Sequence, residues 1–217
     1  MARNPTLLLR ALSALLTYPD AELRAAIPEI VAAIRTARGI GRRTKADLIA
    51  LAEGIAGRPP LEVEAAYVDL FDRGRATSLN LFEHVHGDGR KRGPAMIQLR
   101  QRYRAAGMEP QSDELPDHLP LVLEYLSCRD LAETRAMLRE TAHILRRIGD
   151  ALQGRQSPYA AVMAALLALA GEKGLDAAPT PPEPEDFDRT WEETPAFAPP
   201  EPGAPEPAAT TTRRIRP

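Results

Sequence analysis

The chain has one cysteine, Cys128, so no disulfide can form within it, which suits a reducing compartment. No activating base is indicated beside that thiol, and it reads as a half-buried helical residue. Aromatic residues make up only 5% of the sequence, so leucine, alanine and isoleucine must build the core. β-Branched residues are sparse, which argues against sheet. No stretch approaches the roughly 18 uninterrupted apolar residues that a membrane-spanning helix needs. There is no large excess of charge either: 28 basic against 30 acidic residues give a net of −2. A nucleic-acid binder would show a clustered basic stripe, and none is present.

What is present is helix-forming Ala, Leu, Arg and Glu. Residues 6–16 place leucines at 8, 12, 15 and 16, a single helical stripe. Arg10 interrupts this run and no small-residue cleavage site comes after it, so it reads as a first core helix and not as a signal peptide. Tyr18-Pro19-Asp20 ends it, and Asp20 is placed to cap the next helix. The pattern continues over 21–37, with Pro28 expected to kink the helix or start its second half. Thr44-Lys45-Ala46-Asp47 reads as a capping box for a helix to about Ala56. Pro60 opens the next, with Leu61, Ala65, Val68 and Phe71 expected to face inward and Arg73-Gly74 to stop it.

Pro94 opens a helix with Met96, Leu99 and Tyr103 at helical spacing. Asp117 is read as the N-cap of a helix holding Leu119, Val122, Leu123 and Leu126, with His118 in its first turn. Two more helices are expected near 131–152 and 158–170. The expectation is an all-α fold: a single helical globule of seven to nine helices over residues 1–175. Residues 176–217 carry nine acids against four arginines, a net of −5, together with many prolines. They read as a disordered acidic tail with one island around Trp191.

Polar chemistry is densest between residues 67 and 92. Glu83-His84-Val85-His86 with Asp88 offers metal-ligating residue types. His-x-His, however, points both rings to one side only in extended backbone, and neither a His-Glu-x-x-His pattern nor a cysteine cluster supports it. No metal site is expected. Gly87-Asp88-Gly89-Arg90-Lys91-Arg92 has the glycines and cations of a phosphate loop, without the preceding strand or the Lys-Ser/Thr ending. Asp117-His118 would suit a base and its orienting acid, but no nucleophile accompanies it. No catalytic set and no cofactor are therefore expected. Two readings stay open: a protein that binds a peptide in a groove, and a small-ligand or nucleotide-dependent helical regulator using residues 83–92.

Three stretches resemble the NarJ-type chaperones, which assemble respiratory nitrate reductase. They are residues 67–79, reading Tyr67-Val68-Asp69-Leu70-Phe71-Asp72 into Arg73-Gly74-Arg75-Ala76-Thr77-Ser78-Leu79; Leu81-Phe82-Glu83-His84-Val85-His86-Gly87; and Glu114-Leu115-Pro116-Asp117-His118-Leu119-Pro120 with Leu123-Glu124-Tyr125-Leu126. The opening helix ending in Tyr18-Pro19-Asp20 and the Trp-Glu-Glu island are similar too. The resemblance implies the helical fold of the redox enzyme maturation proteins and no enzymatic activity. It implies cytoplasmic binding to the immature catalytic subunit of nitrate reductase through that subunit's N-terminal segment, holding it competent for molybdenum cofactor insertion.

In the wider group the Asp-His pair is linked to peptide recognition, which carries onto Asp117 and His118. Relatives often have Glu-Pro before that pair; here Leu115-Pro116 stands there and the acid is displaced to Glu114. A helical peptide could lay apolar anchors in a groove formed by Tyr67, Leu70, Phe71, Phe82 and Tyr125. Asp69, Asp72, Glu83, Asp117 and Glu124, with His84 and His118 beside them, would meet basic residues of that peptide. Neither nucleic acid nor membrane insertion enters this reading, and monomer and dimer remain equally open.

Overall fold

Leu8, Leu9, Leu12 and Leu15 are almost completely buried, and they lie on α1 (Thr6–Leu15) as the leucine stripe requires. The computed structural model describes residues 6–86, 92–109 and 114–175, all of them within one compact unit, Met1–Thr180. The expected tail over 176–217, with its Trp191 island, lies outside the described residues, as does the 87–91 part of the glycine and cation run.

Asp20 caps α2 (Ala21–Thr36), accepting from the Leu23 amide at 2.8 Å. Pro28 lies inside this helix without dividing it. After a turn with Gly39 at positive φ come α3 (Arg42–Gly57) and α4 (Pro60–Tyr67). α3 starts at Arg42 behind Gly41, which places Thr44 inside the helix, so the expected capping box does not form. α4 continues as a π-turn, Val68–Asp72, succeeded by a 3₁₀ turn, Arg75–Thr77.

Of the residues expected to face inward from α4 onward, only Phe71 does so. Leu61 is 77% exposed, Ala65 is exposed and Val68 half-buried, whereas Val63, Tyr67, Leu70 and Phe71 are buried. Residues 61/65/68 and 63/67/70 both have helical spacing, so periodicity alone cannot choose between the faces. The larger aromatic area of the second stripe wins the core.

The four-residue α5 (Glu83–His86) and α6 (Arg92–Ala105) come next. α7 (Leu119–Ser127) starts two residues after Asp117, and His118 is its N-cap residue. Cys128 closes α7 and is exposed, where a half-buried helical position was expected. The expected single helix over 131–152 is two, α8 (Leu131–Glu140) and α9 (Ala142–Gly154). They divide at Thr141, whose hydroxyl turns back to donate to the Met137 carbonyl at 3.0 Å. α10 (Ala160–Ala170) ends on Gly171 in the left-handed conformation.

α1 lies against α7 and α2, while α10 is enclosed by α9, α8 and α3. Among the described residues there is no strand, only an isolated bridge between Asn80 and His118. None of the described helices is long and apolar enough to cross a membrane.

Two glycines separate steric need from simple composition. A Cβ at Gly74 would collide with the Leu70 carbonyl and the Thr77 hydroxyl, whereas one at Gly54 meets nothing. Gly74→Ala should therefore destabilise by about 1–3 kcal/mol, and Gly54→Ala should stabilise by about 0.5–1 kcal/mol. Urea midpoints of the two variants check both signs.

Candidate functional site

Tyr67 and Phe71 are one turn apart across the junction of α4 and the π-turn, and both rings turn inward. Their centroids are 4.9 Å apart, and Tyr159 stands edge-on to Phe71 at 5.0 Å. Tyr18 adds a fourth ring, edge-on to Tyr67 at 5.8 Å. The Tyr67 hydroxyl donates to the Leu16 carbonyl at 2.8 Å, which fastens this corner to the end of α1. Burial pushes the Tyr67 phenol well above its ordinary value and that of Tyr159 up to about 12. Both phenols therefore stay neutral; that of Tyr67 serves as a donor, and both rings pack as apolar surface.

Opposite them runs the segment 78–86, held by residues 117–119. The Asp117 carboxylate accepts from the Phe82 amide at 2.8 Å. Its carbonyl accepts from the Leu81 amide at 3.1 Å, and the Leu119 amide donates to the Leu79 carbonyl at 2.9 Å. Asp117 is thus no helix cap; it is fully buried and joins two loops 35 residues apart. Burial raises its carboxyl above the usual range, against the lowering effect of the Phe82 amide and the Arg92 charge. On its N-terminal side, Tyr103 donates its hydroxyl to the Pro116 carbonyl at 2.6 Å. On the other side, Ser13 of α1 donates to the Pro120 carbonyl at 2.8 Å.

Between these two walls lies a cleft of about 720 Å³. Tyr67, Phe71, Leu79, Pro120 and Leu121 supply apolar surface, with Met108 at one end. Asp72, Glu109, Glu114 and Glu124 also line it, and no lysine or arginine does among the described residues. His118 stands 3.7 Å from the Glu114 carboxylate. Burial holds its imidazole below the ordinary 6.5, while Glu114, Asp117 and Asp72 pull the other way. A second cavity of about 750 Å³ adjoins the first, sharing Thr17, Met108 and Glu124, and extends past Asp20, Glu22 and Arg10 to Cys128.

Of the residues singled out from sequence, Tyr67, Phe71, Asp72, His118 and Glu124 line the cleft together. Leu70 is buried in the core, and its carbonyl accepts from the Thr77 hydroxyl. Phe82, Glu83 and His84 lie outside the lining. Glu83 accepts from Ser78 at 2.7 Å and from Arg92 at 3.2 Å. Burial would raise its carboxyl, but the hydrogen bonds of Ser78 and Asn80 and the charge of Arg92 outweigh this and hold it low. His84 donates from Nε2 to the Ser78 carbonyl at 2.8 Å.

Tyr125 belongs to another face. Its hydroxyl donates to Glu133 at 2.5 Å, and the Arg129 guanidinium lies over its ring at 5.4 Å. Sequence reasoning missed Tyr18, Asn80, Met108, Glu109 and Leu121 as cleft residues. Only Tyr18 carried a signal, through the Tyr-Pro-Asp stretch that ends the first helix. Among the described residues no group of three or more His, Cys, Asp or Glu side chains comes together as a metal site would require.

Comparison with known proteins identifies the family of the chain. The family described as nitrate reductase delta subunit matches residues 18–165. A relative from Escherichia coli K12, the nitrate reductase molybdenum cofactor assembly chaperone NarJ, is 41% identical over 190 residues, covering 83% of this chain and 80% of that one. A probable chaperone of the same name from Bacillus subtilis is 32% identical, covering 76% of this chain and 89% of that one. In three dimensions, a putative redox enzyme maturation protein from Archaeoglobus fulgidus superposes with a TM-score of 0.54 at 19% identity, over 74% of this chain and 90% of that one, which shows a shared fold. A family match over two thirds of the chain, with relatives of this similarity, settles its membership: the chain belongs to the nitrate reductase delta subunit family.

Proposed function

We propose that this protein is an assembly chaperone for nitrate reductase. On this reading it binds the immature catalytic subunit, keeps it competent for molybdenum cofactor insertion, and is itself no enzyme. It works in the cytoplasm, where its single thiol stays reduced. The observation that carries the binding mode is the cleft, whose apolar surface is accompanied by four carboxylates and, among the described residues, by no lining lysine or arginine. That surface suits an amphipathic helical segment with apolar anchors on one face and basic residues at its edges. The partner segment is the N-terminal stretch of the catalytic subunit. Apolar contact supplies the affinity, and the carboxylates set orientation and speed encounter.

The residues divide by role. Asp72, Glu114 and Glu124 are exposed and meet the partner's cations. Tyr67 and Phe71 form the apolar wall. Asp117 holds that wall's counterpart in place from behind and does not touch the partner.

Calorimetric titration with a synthetic peptide of the catalytic subunit's N-terminus tests this. Saturable heat that weakens with added salt is expected. Changing Asp72→Asn, Glu114→Gln and Glu124→Gln together should lower the affinity about tenfold without moving the thermal midpoint. Absence of heat with a folded protein would overturn the peptide reading. Asp117→Ala, in contrast, should lower stability by about 1–3 kcal/mol, because it leaves the Phe82 amide without its acceptor.

His118 gives a pH dependence with a definite sign. Its folded-state value lies below 6.5, so as pH falls through 6.5 the unfolded chain takes up a proton that the folded chain resists. Its contribution to stability is therefore present above 6.5 and lost as pH falls toward the lower folded value. Urea midpoints measured on either side of 6.5 should fall less in His118→Gln than in the parent; equal slopes would rule out this role for His118.

A further inference from the structure

The stretch from α4 into the π-turn is apolar on two sides, and only one of them lies in the core. Val63, Tyr67 and Leu70 are buried, whereas Leu61, Ala65 and Val68 recur at the same helical spacing on the outer side. A single leucine in water is ordinary, but a helix apolar on both faces is normally covered on both. Beside the outer stripe stands Tyr18, still 46% exposed although its ring packs edge-on against Tyr67. Its hydroxyl donates to the Glu64 carboxylate at 3.1 Å, which ties the ring to α4. Tyr18, Leu61, Glu64, Ala65, Val68 and Arg73 together line a shallow depression of about 250 Å³. Tyr18 lines the cleft as well, so its ring is the sill between the two. We infer that the partner's chain leaves the cleft across Tyr18 and lies along Leu61, Ala65 and Val68, with an acidic residue opposite Arg73. This rests on the reading of the cleft as the site of the partner's N-terminal segment, and adds to it the exit route and the chemistry of the stretch that follows.

Size, reach and charge select this occupant. The few apolar side chains of the depression fall far short of the roughly 20–30 residues a side of a self-standing interface. What covers them is therefore anchored elsewhere, and the cleft lies directly across Tyr18. From Leu61 to Val68 is about 10 Å along a helix, a length that about three extended residues of partner chain cover. A chain already held in the cleft has lost most of its translational freedom, so even this small contact adds to affinity. The sign of the charge also changes at the sill. Four carboxylates line the cleft, whereas in the depression Glu64 is already engaged by Tyr18. Arg73 is exposed there and makes no ion pair among the described residues. The complementary segment is thus basic before Tyr18 and acidic after it.

Calorimetric titration of the full chain with nested synthetic peptides tests this. Each peptide starts at the first residue of the catalytic subunit and is longer than the last by about one helical turn. Affinity should rise in a step at the length that first crosses Tyr18. Leu61→Gln with Ala65→Gln should remove the step, weakening the longer peptides about five- to tenfold and leaving the shorter ones unchanged. Both positions are exposed and glutamine suits a helix, so the thermal midpoint should stay where it is. Arg73→Gln should weaken only the longer peptides, about two- to threefold, and less at high salt. A nitroxide on the C-terminal end of a peptide just past the step should broaden the amide signals of Leu61 and Ala65. Broadening of Ser127 and Cys128 instead would put the exit at the adjoining cavity and overturn the inference. So would sedimentation in which the parent pairs and the double variant does not, which would give the stripe to a second copy. Heat from every length without a step sinks the exit route alone. No heat from any length, with a folded protein, sinks the peptide reading and this inference with it.

Discussion

The buried Asp117 carboxylate, accepting from the Phe82 amide, is the interaction on which the site depends. Taking a carboxylate out of water is costly unless its charge meets good donors, and here burial already drives the carboxyl upward. What offsets that cost is placement. Residues 78–82 belong to no long helix and, apart from the tie to residues 117–119, have little regular structure to fix them. Residues 116–120 are in turn held by Tyr103 and Ser13, so α6, α1 and α7 all converge on the segment that fixes 78–82. One wall of the cleft is therefore made of loop backbone yet is located by three helices.

The other wall is fixed by shape. Tyr159 stands edge-on to both Tyr67 and Phe71, which are tilted against each other, and the π-turn lets the helix carry Leu70 and Phe71 inward while Asp72 stays in water at the cleft. The cleft thus combines a rigid apolar surface with carboxylates on solvated side chains. That combination favours recognition of a class of segment, apolar with basic flanks, over the tight grip of a single small molecule.

The helical fold was legible because leucine spacing and proline or glycine breaks are local signals. The stripe 8/12/15/16 and the Asp20 cap are read directly, since every participant lies within a few residues. Asp117 shows where this stops. A Pro-Asp-His sequence before an apolar run looks like a helix start, and the competing acceptor role is invisible because Phe82 lies 35 residues away. α4 failed for a different reason: two faces had the same period, and the choice fell to the stripe whose rings pack against Tyr18 and against Tyr159 at the start of α10, neither of them near in sequence. The cleft was half visible. Tyr67, Phe71, Asp72, His118 and Glu124 sit in motifs with unusual composition, whereas Met108, Glu109 and Leu121 have no local mark and enter only through the packing of α6 and α7.

The four-ring corner also gives the protein an optical property. Tyr18, Tyr67, Phe71 and Tyr159 lie close together in fixed, mostly perpendicular orientations, an asymmetric arrangement of chromophores. Near-ultraviolet circular dichroism from this corner reports the integrity of the cleft wall, while far-ultraviolet ellipticity reports helix content. A molecule whose helices persist but whose wall has loosened would be weakened in the first region, where the Tyr103 and Tyr125 rings still contribute, and unchanged in the second. The protein thus carries its own spectroscopic distinction between being folded and being ready to bind.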